Sequence, residues 1–503
     1  MAERTVPRTA TAGEAPAAKE GRRRRVPAPL LALLAATALL GLAWALLTPA
    51  MQAPDENAHT GYVQSLGEDL MLPGDPARPL FSTEQSAAAA ASNADQTAAI
   101  EETRPEWDRG EYERWRAQDL ALPHAQRVDG GGPNPAAANP PLYYVFAGAA
   151  WRAASSGDFY DRLLAARLVS VLFLLLTVVA VWLLAGEVVG RRRVLQLAAA
   201  AVAGLAPMMT FLSGSVTPDS LLFALWSLFL WLGVRSLKRG MSVRDGLALF
   251  AVAGLACVVK STSYALLPAA FGVLAVALWR RRAKGSRSSL AVAGAAVAGL
   301  LLTAGAWYAI ARGISRPAAP QLTAATSAPS QTGLNLRYLG SYVWQFYLPR
   351  LPFQQDFFPT TTGPRFYEVW IKGAWGAFGW LEVKFPSPVY ALLAAVTAVV
   401  SAMAAARLWI TRRSCDLAVG AFLALVTVSL LAGLHWSEFR ISVNGFNQGR
   451  YLLPLVGIAG LVVAQAIRLL PARRQAWGAA VVVAGLFALQ LFSLELVAER
   501  FYA

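Results

Sequence analysis

The sequence predicts an all-α membrane protein: a bundle of about eleven transmembrane helices with a long first outer loop carrying interfacial helices. Three observations lead there. Of 503 residues, 56% are hydrophobic and 15% charged, where a soluble domain carries about 25% charged residues. Eleven apolar runs approach or reach bilayer-spanning length. The 45 Lys and Arg residues gather between alternate runs rather than spreading evenly.

Taken in order, residues 1–27 lack apolar periodicity and read as a disordered basic cytoplasmic tail ending in Arg22–Arg25. Residues 28–503 read as one transmembrane domain. Basic residues before the run Ala28–Leu47 mimic a secretion signal, but the run is long and many spans follow, so it reads as an uncleaved first helix. The further spans are Leu163–Val189, Val194–Ser213, Leu221–Leu237, Gly246–Val259, Tyr264–Trp279, Leu290–Ile310, Val389–Ile410, Leu417–His435, Tyr451–Leu470 and Ala476–Val497. Gly246–Val259 and Tyr264–Trp279 are short and nearly continuous. Pro140–Ala154 is apolar but short; it reads as an interfacial or re-entrant helix, because counting it as a span would turn Arg191–Arg193 outward.

With the N-terminus in the cytoplasm, alternation puts 25 basic and six acidic residues on the cytoplasmic side, leaving 20 basic and 24 acidic elsewhere. That pattern obeys the positive-inside rule and implies a multi-pass plasma-membrane protein. The net charge of +15 is then an orientation signal and a contact for the lipid bilayer, and it does not call for nucleic acid as a partner. Cys257 and Cys415 sit in or beside apolar stretches, which argues against a disulfide framework or a cysteine metal site. Two large outer loops remain, 49–139 and 311–388. The first holds 15 of the 30 acidic residues and six arginines, with surface helices expected near Ala87–Ala91 and Glu101–Asp119. The second opens with Pro, Ala, Thr and Ser and continues as an aromatic, interfacial stretch, Tyr338–Trp380.

The residues able to carry chemistry cluster at outer ends. Pro54-Asp55-Glu56-Asn57-Ala58-His59 follows the first span. A carboxylate half-withdrawn from water has its pKa raised and suits a general base, with its neighbour orienting a ligand; the same residues also suit a helix N-terminal cap. Asn139-Pro140-Pro141-Leu142-Tyr143-Tyr144 reads as a helix start whose tyrosines anchor the interface or touch a ligand. In Thr217-Pro218-Asp219-Ser220 the aspartate caps a helix or faces the cavity of Asp55. Lys260, one of six lysines, lies between apolar segments and needs an anionic partner, a lipid phosphate among the candidates, or snorkels to the interface. Gln448-Gly449-Arg450-Tyr451 opens the tenth span, where Arg450 suits a bidentate phosphate contact. Arg167 is a further cation just inside the second span. Both arginines could instead pair with outer acids. Three scattered histidines, His59, His124 and His435, make no metal motif; a divalent cation near Asp55 and Glu56 is compatible with the sequence, and no other cofactor is called for.

In this order the acidic pair, Pro-Pro-Leu-Tyr-Tyr, the Asp219 turn, Lys260 and Gly-Arg-Tyr-Leu-Leu-Pro resemble the GT-C superfamily of integral-membrane glycosyltransferases. More narrowly, the chain resembles a bacterial family of predicted membrane proteins of unknown function linked to surface polysaccharide. The resemblance runs from about 28 to 497. It implies a polyprenyl-phosphate-linked sugar as donor, used on the extracytoplasmic face. It also implies a cell-envelope glycan, lipid or protein as acceptor, and inversion at the anomeric carbon. It assigns Asp55 as base beside Glu56, and Lys260, Arg450 and Arg167 to the donor phosphate. His59, Tyr143, Tyr144, Asp219 and Gln448 would line the cavity. The chain has no separate soluble region to hold a large acceptor. A transporter or flippase for lipid-linked envelope precursors is the competing reading, and it predicts polar residues through the full depth of several helices.

Overall fold

The computed structural model describes residues 26–105, 108–282, 286–320, 335–359, 365–441 and 447–503. Most of the expected tail, with Arg22–Arg25, and residues 321–334 of the second outer loop lie outside the described residues. After α1 (Ala28–Leu47) and α2 (Glu56–Asp69), four short helices follow in the first outer loop: α3 (Thr83–Ala91), α4 (Ala94–Ala99), α5 (Arg109–Leu120) and α6 (His124–Arg127). The bundle continues with α7 (Leu142–Ala153), α8 (Phe159–Val189), α9 (Arg193–Leu205), α10 (Pro207–Ser213), α11 (Asp219–Arg239), α12 (Val243–Cys257) and α13 (Leu266–Arg280). It closes with α14 (Ser286–Leu300), α15 (Ala306–Gly313), α16 (Leu336–Tyr347), α17 (Ser387–Ile410), α18 (Leu417–Ile441), α19 (Val456–Leu469) and α20 (Gln475–Tyr502). A two-residue antiparallel pair, Ala377–Phe378 with Val383–Lys384, pins the end of the second outer loop.

Among the described residues nine helices are long and apolar enough to cross a membrane, or ten if α9 and α10 form one bent span. The bend is 52°. Its cause is local: Ala206 precedes Pro207 and is driven to extended backbone, φ −71° and ψ 129°. The remaining expected span, Gly246–Val259, is α12, which is helical but has only 15 residues, about 22 Å of rise against a hydrocarbon core of about 30 Å. Its two ends nevertheless lie near the two ends of α11. Lys260, just beyond its end, meets Asp219 at the start of α11, while Arg280 and Arg281 at the end of α13 donate to the carbonyls of Leu237 and Met241 at the end of α11. The basic loops gather at that second end: Arg239 pairs with Glu187 at 2.7 Å.

Helix packing rests on small side chains, as expected where lipid removes the hydrophobic drive between helices. The alanines of α9, Ala198–Ala201, are fully buried. Gly460 of α19 lies so close that a Cβ there would sit 2.6 Å from the Ala199 carbonyl.

The acidic first outer loop is tied down by one arginine. Arg162, fully buried in the first turns of α8, meets Glu84 at 2.6 Å, Glu68 at 2.9 Å and Asp119 at 3.6 Å. A buried guanidinium requires this company, since an unpaired charge there would cost several kcal/mol or about that order. Three of the loop's carboxylates therefore anchor α2, α3 and α5 to the bundle. The short apolar stretch after Pro140 is α7, wedged between α2 and α8, with Tyr143, Tyr144 and Trp151 fully buried.

Candidate active site

The turn between α1 and α2 wraps a buried ion pair. Arg167 of α8 uses all five guanidinium N–H groups there. Nε and Nη2 donate to the two oxygens of Glu56 at 2.8 and 2.6 Å, and Nη1 and Nη2 donate to the carbonyls of Ala45, Thr48 and Pro49. Glu56 is equally saturated, since it also accepts from the Met51 and Val216 amides. Two sequence assignments are corrected by this. Glu56 has no lone pair left for a reacting proton, and Arg167 has no N–H left for a phosphate. Together they are the clamp that shapes the turn.

That clamp aims Asp55. Winding the chain around Glu56 puts Asp55 in the left-handed region, φ 62°, and Met51 likewise at 64°. Side chains there cost about 1 kcal/mol or more each. As a result Glu56 points inward and Asp55 points out, with its side chain 42% exposed. Asp55 occupies the N-cap position of α2 but its carboxylate caps nothing. Instead Oδ2 accepts from Arg450 Nη2 at 2.5 Å. Burial pushes the Asp55 carboxyl up, but the charges of Arg450 and Lys260 and the Arg450 hydrogen bond outweigh it and hold it below the usual carboxylate range. The raised pKa expected from the sequence is thus corrected: the counter-charge decides the sign.

A second ion pair lies beside the first. Asp219 Oδ1 accepts from Lys260 Nζ at 2.7 Å. The N-cap position of α11 is Pro218, and the Asp219 amide donates to the Thr217 hydroxyl at 3.3 Å, so the Asp219 carboxylate is free for Lys260. Its Oδ2 is buried without a hydrogen-bond partner among the described residues. Lys260 and Arg450 both lie against the Tyr451 ring, 5.2 and 5.6 Å from its centroid. Tyr451 is the residue that composition alone passes over; its adjacency to Arg450 was the available signal.

Behind this front lies an aromatic layer. His59 Nδ1 is 2.9 Å from the Tyr144 hydroxyl, and Tyr144 stacks on Tyr62 at 3.7 Å. Burial pulls the His59 imidazole down to about 4, despite the nearby carboxylates, so it is neutral at pH 7. Tyr143 exchanges a hydrogen bond with Ser170 at 2.8 Å and accepts from the Thr217 amide at 3.0 Å. Tyr143 and Tyr144 are both completely buried. They were expected to line the cavity; they hold the Asp219 turn and His59 in place. Gln448, with its Oε1 buried and unpartnered among the described residues, does line a cavity together with Arg450. Among the described residues no group of three or more His, Cys, Asp and Glu side chains is placed to hold a metal ion.

Solved membrane-protein structures share the fold of this multi-pass helical bundle. ArnT from Cupriavidus metallidurans in the apo state matches with a TM-score of 0.50 at 14% identity, covering 93% of this chain and 77% of ArnT. ArnT bound to undecaprenyl phosphate matches with a TM-score of 0.41 at 18% identity, over 94% of this chain and 78% of that one. The apo oligosaccharyltransferase of Archaeoglobus fulgidus matches with a TM-score of 0.49 at 12% identity, over 94% of this chain and 56% of that one. The chain belongs to the DUF2142 family of predicted membrane proteins, whose family model matches residues 38–459. No curated protein matches the chain.

Proposed function

We propose that the protein is an inverting glycosyltransferase that moves a sugar from a polyprenyl-phosphate donor to a cell-envelope acceptor. In this reading the site faces the extracytoplasmic side of the plasma membrane and the N-terminus is cytoplasmic. The observation that carries it is the meeting of two ion pairs, Asp55–Arg450 and Asp219–Lys260, from four places far apart in the chain. The orientation rests on the basic loops lying at the opposite end of the bundle from Asp55.

Each group has capacity to spare for this chemistry. Asp55 Oδ1 has no hydrogen-bond partner among the described residues and the side chain reaches solvent. Lys260 has three N–H donors and shows one to Asp219. Arg450 Nε is unpartnered among the described residues. The donor phosphate sits on Lys260 and Arg450. The acceptor hydroxyl attacks the anomeric carbon from the opposite face and gives its proton to Asp55. The bond from that carbon to the phosphate oxygen breaks with its electron pair, and the two cations stabilise the charge that develops. Drawing Arg450 toward the phosphate weakens its hold on Asp55 and makes that carboxylate a better base only when donor is bound.

The test is sugar transfer from a polyprenyl-phosphate donor in proteoliposomes. Asp55→Asn should lower the rate by about a hundredfold or more in a protein that still inserts and folds. Wild-type activity in that variant would remove Asp55 as base. Undecaprenyl phosphate, the lipid of one ArnT structure, is the probe for donor binding; Arg450→Ala should weaken it, and unchanged affinity would count against the phosphate role.

A further inference from the structure

A cavity of about 690 Å³ adjoins the Asp55–Arg450 pair, walled by the second outer loop from Arg365 to Lys384, the start of α17 and the segment Asn447–Arg450. Four cations line it, Arg365, Lys372, Lys384 and Arg450, against one carboxylate, Glu368. Glu368 is already engaged by Lys372 at 2.8 Å. Lys372 is further held near the rings of Tyr367 and Tyr390, at 5.2 and 5.6 Å. Lys384 is exposed and forms no ion pair among the described residues. The Nε groups of Arg365 and Arg450 are buried without an acceptor, and Gln448 Oε1 is buried without a donor, again among the described residues.

With Arg450 paired to Asp55 and Lys372 to Glu368, the lining still carries two cations, Arg365 and Lys384, without an ion pair among the described residues. Like charges brought together around a shared hollow repel one another, and buried N–H groups without acceptors add a desolvation cost. Both costs are relieved by an anion that enters the cavity. The idle Gln448 carbonyl calls for something more, a hydroxyl donor on the same ligand. The two walls are locked in register by glycine: Gly449 lies against Gly373, and a Cβ on Gly449 would sit 2.1 Å from the Gly373 carbonyl carbon. The basic loop is therefore a fixed wall of the site. Arg450 belongs to both compartments, so an occupant touching it brings a hydroxyl toward Asp55.

We propose that this cavity holds the acceptor, and that the acceptor is an anionic glycan unit carrying phosphate or carboxylate beside the hydroxyl that is glycosylated. The proposal rests on reading the Asp55–Arg450 site as the site of transfer.

The experiment uses the full chain in phosphatidylcholine nanodiscs, with glucose 1-phosphate and glucose as probes in calorimetric titrations. Glucose 1-phosphate should bind and glucose should not. Lys384→Ala, an exposed position that leaves the fold intact, should weaken the sugar phosphate about tenfold, and Lys372→Ala similarly. Equal affinity for the two sugars, or wild-type affinity in both variants, overturns the proposal. Repeating the titration with phosphatidylglycerol in the discs separates the two sources of phosphate. Unchanged sugar-phosphate affinity supports the acceptor site, whereas displacement by the lipid makes the cavity a headgroup site and overturns it. Undecaprenyl phosphate is titrated in parallel. If Lys384→Ala leaves its affinity unchanged, the two compartments are distinct as proposed; if it loses affinity, the cavity belongs to the donor and the acceptor assignment falls. Failure of the transfer reading has a different signature, absence of undecaprenyl phosphate binding to the wild-type protein.

Discussion

Arg450 Nη2 lies 2.5 Å from Asp55 Oδ2, across 395 positions of chain. The guanidinium is almost fully buried while the carboxylate is 42% exposed. The pair thus has a fixed cation and an accessible anion, the polarity required if Asp55 meets a substrate and Arg450 sets its charge.

Removing the cation should move the titration of Asp55 upward. In the wild type the counter-charges hold the carboxyl below its ordinary value, so this pair adds stability above the unfolded-state pKa. That stability is lost as pH falls through the lower folded-state value. In Arg450→Gln burial acts with less opposition and the carboxyl rises. Thermal melts between pH 3 and 7 should then show a smaller loss of stability on the acid side than in the wild type. Identical acid limbs in the two proteins would show that Arg450 does not govern Asp55.

The adjacent carboxylates should separate by function. Glu56→Gln or Arg167→Met leaves a buried partner unpaired and should cost about 3–5 kcal/mol of stability, read as a lower melting temperature in detergent. Asp55→Asn keeps an oxygen acceptor for Arg450 at a half-exposed position and should lower the melting temperature less than either of these. A stable Arg167→Met protein would mean the clamp around Glu56 is dispensable.

His59 should make the fold acid-sensitive. Its folded-state pKa of about 4 lies below the unfolded value near 6.5, so the unfolded chain binds the extra proton first. Stability should therefore fall as pH drops from about 6.5 to about 4, by up to about 3 kcal/mol, and this term should level off below that window. His59→Gln should flatten the curve over the same range. An unchanged slope in that variant would assign the acid sensitivity elsewhere.

Gly449 should tolerate no side chain. The Cβ of Gly449→Ala meets the Gly373 backbone at 2.1 Å, and forcing the walls apart should cost about 1–3 kcal/mol and weaken undecaprenyl phosphate binding at Arg450. Gly485→Ala, where nothing lies within 4 Å, is the control and should be neutral. Comparable behaviour of the two variants would show that the Gly373–Gly449 contact is not structural.

Most of the helical scheme was legible in the sequence, because apolar length and the spacing of basic clusters are local properties. All eleven expected runs are helical, and the exception in length, α12, fell where Gly246–Val259 was already short. The roles of individual charges were not legible. Asp55 and Glu56 are neighbours of one residue type, and nothing local says that one is saturated and the other open. Tyr143 and Tyr144 read as interface anchors or ligand contacts because burial beneath α2 and α8 is not written in Pro-Pro-Leu-Tyr-Tyr. The basic residues of the second outer loop drew no notice, since Lys372 and Lys384 acquire meaning only beside Arg450.

The sequence by itself determined that the chain is a helical membrane protein and which stretches are apolar enough to be candidate spans. Hydrophobic length and the cost of burying charge act residue by residue along the chain. Only the tertiary structure decided which charges meet. Ion pairing depends on distances of a few ångströms between groups hundreds of positions apart, and the left-handed turn at Asp55 exists because Arg167, from another helix, holds Glu56 beneath it.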